Sequence, residues 1–378
     1  MAVIAFNTRL LQKGKLEGIG WYTYETLRRI VLAHPEHEFI FIFDRPFNSD
    51  FIFAPNVKAI YAGPPTRHII LFIPWFEITI PYILKKYKVD LFVSPDGHIS
   101  LLTQKKQLAV IHDINFHHFP KTIPVLVRWY YNFFFPRFAK KAKRIAVVSE
   151  YTKNDLVKSY GINPSKIDVT LNGCNERFSP ISESLQNEVR IKFSDGIPYF
   201  LFVGLIIPRK NLATLLDAYN IYRKSGGPRI RLLIVGEKKW WDKAHEIAYQ
   251  NNEFKEDILF IGRLQIEDLH LVMASAFALT FVPLFEGFGI PVLEAFACGT
   301  PVITSNTTSL PEVAGDAALL VNPLNAQDIS MAMMHLAKSE KLREDLVNKG
   351  LARSKQFSWD ITASSLWESI SKCLNYQL

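Results

Sequence analysis

The 378-residue chain has little cysteine, and its three thiols, Cys174, Cys298 and Cys373, fall in no CxxC or His-rich spacing. That excludes a zinc knuckle and a disulfide framework, and makes a reducing cytosol the default compartment. Long apolar runs are also missing. The longest, Ile69 to Leu84, is 16 residues broken by Pro74, Glu77 and Pro81, whereas a bilayer span needs about 20. No secretory signal is visible, because Ala2 to Phe6 already reads as a strand with no basic region or cleavage site before it. Short repeats and low-complexity tracts are absent. What is present is apolar mass: 48% hydrophobic residues over this length suit two or three packed domains and exclude disorder as the main state. Charge is uneven. Residues 1–180 hold 24 Lys and Arg against 14 Asp and Glu, while residues 181–378 hold 20 against 22. The first half also holds 17 of the 28 Phe. A basic, aromatic surface facing an anionic and apolar partner is expected there.

Short apolar runs bounded by turn residues alternate with helix-length segments. In the first half they are 3–6, 38–44, 57–62, 90–94, 108–112 and 145–149; in the second, 199–204, 231–236, 258–262, 278–283 and 301–304. Fully apolar strands alternating with helices predict parallel sheets covered on both faces. The polar stretch after Phe178-Ser179-Pro180 predicts a junction, giving two doubly wound domains, residues 1–180 and 181–357. Such domains bind ligands beyond the carboxyl ends of their strands, so two of them are expected to face a cleft. The final helix, from Trp359 to about Cys373, follows the second sheet and has no place assigned by periodicity.

Four strand-end loops carry candidate chemistry. The first runs from Gly14 through Gly18, Ile19 and Gly20 to a helical segment at Trp21, a setting for an anion at a helix N-terminus. It lacks the third glycine of a dinucleotide fingerprint, and a plain tight turn accounts for it nearly as well. The second is His112-Asp113 at the end of a strand. His112 could carry a proton, bond a hydroxyl or ligate metal, against the plainer reading of a capping Asp beside a half-buried His. No HxH or HExxH spacing supports metal.

The third loop, Gly204 to Asn211, brings Arg209 and Lys210 to a helix start. Cations there oppose the helix dipole unless an anion compensates, which favours a diphosphate site over a solvated turn. The fourth, Glu286-Gly287-Phe288-Gly289-Ile290-Pro291, aims a glycine loop at a helix whose Pro291 suits a first turn. Glu294 lies inside that helix among apolar positions. A carboxylate so placed needs hydrogen-bond donors, which the hydroxyl pair of a ribose would supply.

These loops, with Val147 to Thr152, Leu171-Asn172-Gly173 and Gly299 to Ile303, make the chain resemble the retaining family 4 glycosyltransferases of GT-B fold over nearly its whole length. The Glu-x7-Glu spacing of Glu286 and Glu294 is the most specific match. The resemblance implies an α/β fold of two doubly wound Rossmann-like domains, with the C-terminal helix (358–378) crossing back to the N-terminal, acceptor-binding domain. The C-terminal domain then binds a nucleotide diphosphate sugar. Position by position it implies sugar contacts from Glu286, His112 and the Gly287, Phe288, Gly289 and Ile290 backbone, ribose contacts from Glu294, and diphosphate contacts from Lys210. Gly204 closes the strand of the donor loop, while Gly18, Ile19, Gly20 and Asp113 form an acceptor or phosphate loop. One departure is Leu205, where many members carry Arg; Arg209 is expected to replace that charge.

The expected function is retaining transfer of a hexose, with mannose from GDP-mannose preferred, to a glycan or polyprenyl-diphosphate-linked acceptor of bacterial-type surface polysaccharide. No metal or cofactor is expected, since Arg209 and Lys210 can stabilise the departing diphosphate. An anionic membrane surface at the inner face of the cell membrane is an expected partner, from the segments Phe133–Arg144 and Ile69–Lys88. Nucleic acid is not, since no binding motif accompanies the charge. The alternatives are a nucleotide-sugar epimerase or phosphorylase on the same fold, and a non-catalytic basic module that binds membrane or RNA.

Overall fold

The computed structural model describes residues 1–375, and its contacts divide the chain into two units: Met1–Gly173 with the helix that begins at Trp359, and Cys174–Ser358. In the first unit, β1 (Val3–Asn7), β2 (Glu38–Phe43), β3 (Val57–Tyr61), β4 (Leu91–Ser94), β5 (Lys106–Ile111), β6 (Arg144–Val147) and β7 (Ile167–Val169) form one parallel sheet. Its order is β3-β2-β1-β4-β5-β6-β7. In the second, β8 (Tyr199–Val203), β9 (Arg231–Val235), β10 (Ile258–Gly262), β11 (Ala278–Phe281), β12 (Val302–Ser305) and β13 (Leu319–Val321) form a parallel sheet in the order β10-β9-β8-β11-β12-β13. Every residue of β4, β8, β9, β11 and β12 is buried, as strands covered by helices on both faces must be. Strand order reverses between β1 and β4 and between β8 and β11. At each reversal the flanking connections leave to opposite faces, and the strand ends open for a ligand.

The contact division falls after Gly173 rather than at residue 180, and the polar stretch read as a junction contains the helix Glu183–Ser194. It reads as a connector because only Val189 and Ser194 are buried in it. The last helix, Trp359–Leu374, belongs to the first unit. Trp359 meets the Tyr22 ring edge-on at 6.1 Å, Asp360 accepts from Arg29 at 2.6 Å, and the Thr362 hydroxyl donates to the Leu171 carbonyl at 2.6 Å. Asp168, next to β6, accepts from Arg144, Ser369 and Lys372. These polar ties fix the helix in register where apolar burial alone would let it slide. No helix of the described residues is long and apolar enough to cross a membrane.

Candidate active site

In the second unit β8 ends at Val203, and the following loop runs from Gly204 to the turn Pro208–Lys210. Gly204 and Gly236 cross so closely that a Cβ on Gly236 would lie 1.9 Å from the Gly204 carbonyl oxygen, so no larger residue fits. Asn211 then anchors the turn, its amide donating to the carbonyls of Val282 at 2.9 Å and Pro323 at 2.7 Å. This brings Arg209 and Lys210 onto one carboxylate. Glu286 Oε1 accepts from Lys210 Nζ at 2.5 Å and from Arg209 at 3.1 Å, and Arg209 also donates to the Phe285 carbonyl at 2.6 Å. The three side chains are only 12–15% exposed, which excludes the solvated-turn reading of the two cations.

The Glu286 loop is held from behind. Ser309 Oγ donates to the carbonyls of Glu286 and Phe288, and the Glu286 N–H donates to the Thr308 hydroxyl. Gly289 has φ +108°, and a Cβ there would press 2.6 Å from Leu310 Cδ2. Glycine is therefore required where the loop turns into the helix Ile290–Ala297. The Phe288 side chain is buried near Phe357, so what it can offer a ligand is backbone.

The two glutamates titrate in opposite directions. Burial alone would raise the Glu286 carboxyl, but Lys210 and Arg209 hold it below its ordinary range. Burial pushes Glu294 up to about 7, and its carboxylate has no hydrogen-bond partner among the described residues. Uncompensated carboxylates on apolar helix faces are costly, and donors from a ligand relieve the cost.

In the first unit β5 ends at Ile111 and His112 follows. Its Nε2–H donates to the Pro95 carbonyl at 2.8 Å, and its ring meets Tyr22 edge-on with centroids 4.8 Å apart. Because a carbonyl can only accept, the proton sits on Nε2, and Nδ1 is the acceptor of the neutral ring. Burial depresses the His112 pKa, only partly countered by the Pro95 bond. Asp113 takes the plainer role: its Oδ1 accepts from the Asn115 N–H at 2.9 Å and side-chain amide at 2.5 Å, starting the short helix Asn115–His118. Gly18, Ile19 and Gly20 form the first turn of the helix Gly18–Ala33 rather than the loop before it. Gly20 packs against the Leu10 carbonyl, while a Cβ at Gly18 would meet nothing within 4 Å.

The units thus collect the predicted residues into two sets: Gly204, Arg209, Lys210 and Glu286 to Ile290 with Glu294 in one, and Gly18 to Gly20, His112 and Asp113 in the other. Sequence reading missed Asn211, Thr308, Ser309 and Pro95, which hold the site residues from behind. The signal for Asn211 was its place after two cations; Thr308 and Ser309 gave none beyond a polar turn. Among the described residues, no group of three or more His, Cys, Asp and Glu is placed to hold a metal ion.

Comparison with known proteins identifies the family and the fold. Residues 186–353 match the family described as glycosyl transferases group 1, and residues 16–178 match glycosyltransferase family 4. The chain is 28% identical over 359 residues to O-antigen chain mannosyltransferase B of Escherichia coli, across 92% of this chain and 94% of that protein. It is 26% identical over 257 residues to O-antigen chain mannosyltransferase RfbU of Salmonella typhimurium, across 68% and 67%. In structure it resembles a sucrose-phosphate synthase from Thermosynechococcus elongatus, with a TM-score of 0.78, 19% identity and coverage of 98% and 99%. At that identity the likeness is one of fold.

Proposed function

Since the chain belongs to glycosyltransferase family 4 and has the GT-B fold, we propose that it moves mannose from GDP-mannose to a hydroxyl of a polyprenyl-diphosphate-linked glycan. The reaction retains anomeric configuration and serves surface polysaccharide synthesis at the inner face of the cell membrane. The choice of sugar is supported by the two O-antigen mannosyltransferase relatives.

The observation that carries the proposal is the single carboxylate shared by two cations. Arg209 and Lys210 present two positive charges against one negative, so a positive excess remains for a diphosphate. Negative charge grows on the diphosphate as the bond to the anomeric carbon breaks, and the cations stabilise it there without a metal. The acceptor oxygen bonds the anomeric carbon on the face the diphosphate leaves, and the acceptor proton passes to the departing phosphate oxygen. GDP and a mannosylated acceptor result. Glu286, ionised and tied by two cations, is a poor nucleophile and a good acceptor for sugar hydroxyls. Glu294 takes the ribose hydroxyls, and His112 accepts a sugar hydroxyl at Nδ1.

The test is transfer to a lipid-linked mannosyl acceptor from GDP-mannose, UDP-glucose and UDP-N-acetylglucosamine, with and without EDTA, followed by NMR of the new linkage. GDP-mannose should be preferred, the donor's configuration kept and EDTA without effect. Preference for a UDP sugar, an inverted product, or conversion of the donor sugar with no acceptor present would refute the assignment.

A further inference from the structure

Among the described residues, five besides glycine have positive φ: Lys88, Asp195, Asn211, Thr308 and Asn375. Lys88 is unbranched, and Asp and Asn tolerate this conformation because their short polar side chains bond locally. Thr308, at φ +59°, is the exception. A β-branched residue in the left-handed region is strained, and such a conformation persists only where the surrounding structure imposes it.

The turn at Thr308 lies between β12 and the short helix Leu310–Ala314, and it aims successive residues at the Glu286 loop. On β12, Thr304 and Ser305 donate their hydroxyls to the carbonyls of Phe281 and Pro283, each at 2.7 Å. Past the strand, the Thr308 hydroxyl donates to the Thr307 carbonyl at 2.7 Å and accepts the Glu286 N–H at 3.3 Å. Ser309 Oγ reaches the carbonyls of Glu286 at 3.0 Å and Phe288 at 2.9 Å, and the Leu310 side chain lies against Gly289. The peptide groups on both sides of Glu286 are therefore bound, one by Thr308 and the other by Ser309. A right-handed or extended residue at 308 would send Ser309 and Leu310 elsewhere. Glycine would take the turn without strain but would offer the Glu286 N–H nothing.

What this clamp sets is the carboxylate. Arg209 and Lys210 both bond Glu286 Oε1, and Oε2 has no hydrogen bond among the described residues. We propose that Thr308 is a positioning residue for donor-sugar recognition: its strained turn and its hydroxyl hold the Glu286 main chain so that Oε1 meets the cations and Oε2 is left for a sugar hydroxyl. Strain kept at a site by its surroundings is a form of preorganisation. The inference rests on the proposed function in taking Glu286 to hold the sugar of the donor.

Calorimetric titration with GDP and GDP-mannose, together with rates of transfer, tests it on wild type, Thr308→Gly and Thr308→Ser. The Gly variant suits the turn and lacks the hydroxyl. It should melt within a few degrees of wild type and bind GDP as wild type does, while most of the extra affinity contributed by the mannose is lost and kcat falls about 10- to 100-fold. The Ser variant keeps the hydroxyl and loses the branch, so its Tm should be equal or higher, with sugar affinity and kcat close to wild type. Amide hydrogen exchange should find the Glu286 N–H protected in wild type and in the Ser variant, and unprotected in the Gly variant. A Gly variant with wild-type sugar affinity and kcat, a Ser variant as impaired as the Gly variant, or GDP and GDP-mannose weakened in parallel would overturn the proposal. Wild type that takes UDP-glucose instead refutes the proposed donor and not this inference, which then stands or falls by the same comparison with UDP and UDP-glucose.

Discussion

Beyond β1 and β4 of the first unit, Arg9 and Asp96 form an ion pair at 2.5 Å with side chains 10% and 4% exposed. Beyond β8 and β11 of the second, Arg209 and Lys210 share Glu286. Both clusters occupy the switch point of a doubly wound sheet, but they are balanced differently. Asp96 also accepts from Asn7, and Arg9 lies over the Phe72 ring. One cation meets one anion, and both side chains are held by contacts within the unit. In the second unit two cations meet one anion, and a carboxylate nearby, Glu294, has no partner among the described residues. Under the proposed function, the same strand-end geometry serves stability in the first unit and binding in the second. Which it serves is decided by whether the local charges cancel.

The contrast breaks most sharply at Asp96. Asp96→Asn leaves Arg9 buried without its anion and should cost about 3–5 kcal/mol, a fall of roughly 10 °C in Tm, with nucleotide affinity measured below that temperature unchanged. Arg9 and His98 overcome burial to hold the Asp96 carboxyl below its ordinary range, so its contribution is present at neutral pH and is lost only as pH falls through that depressed value.

Lys210→Ala should do the reverse, leaving Tm nearly unchanged and lowering kcat/KM by 10² to 10³, about 3–4 kcal/mol of transition-state stabilisation. Steady-state kinetics with GDP-mannose and acceptor checks it.

Glu294 ties stability to binding. Its pKa, raised to about 7 in the fold, lies above the unfolded value, so its stabilising contribution is present at acid pH and is lost as pH rises through about 7. Glu294→Gln should make the ligand-free protein more stable above pH 7, by up to about 3 kcal/mol. In the wild type, nucleotide affinity should fall as pH drops below 7, because ribose hydroxyls need the ionised carboxylate; the Gln variant should bind more weakly and without that dependence. Thermal melts and titration calorimetry across pH separate the two effects. The smallest change is expected from Asp113→Ala, about 1 kcal/mol of stability from a lost turn bond, with transfer close to wild type.

Much of the fold is legible in the sequence. The eleven strands read from apolar runs lie within two residues of where they form, because buried parallel strands have no polar face to confuse the pattern. Ile167–Val169 and Leu319–Val321 escaped for the opposite reason: three residues are too few to make a run. Arg209 and Lys210 stood out because two cations at a helix start conflict with the dipole. The supports of the site were invisible. Ser309 and Thr308 matter only through the carbonyls and N–H that folding brings to them, and Pro95 sets the His112 tautomer with a backbone oxygen, which no side-chain pattern reports. The helix Val125–Lys141 was half legible: Phe133 to Phe138 read as aromatic and basic, but only folding sorts Phe134, Phe135 and Phe138 into the core and leaves Trp129 and Phe133 outside.

The central claim, that a positive excess at Arg209 and Lys210 holds the diphosphate while Glu286 holds the sugar, is tested most directly by calorimetric titration of GDP and GDP-mannose into wild type and Glu286→Ala. Removing the carboxylate takes away the anion that competes with a diphosphate for the two cations, so GDP should bind as tightly as before or more tightly, while the additional affinity contributed by the mannose disappears. Equal weakening of GDP and GDP-mannose, or an unchanged difference between them, would contradict the account.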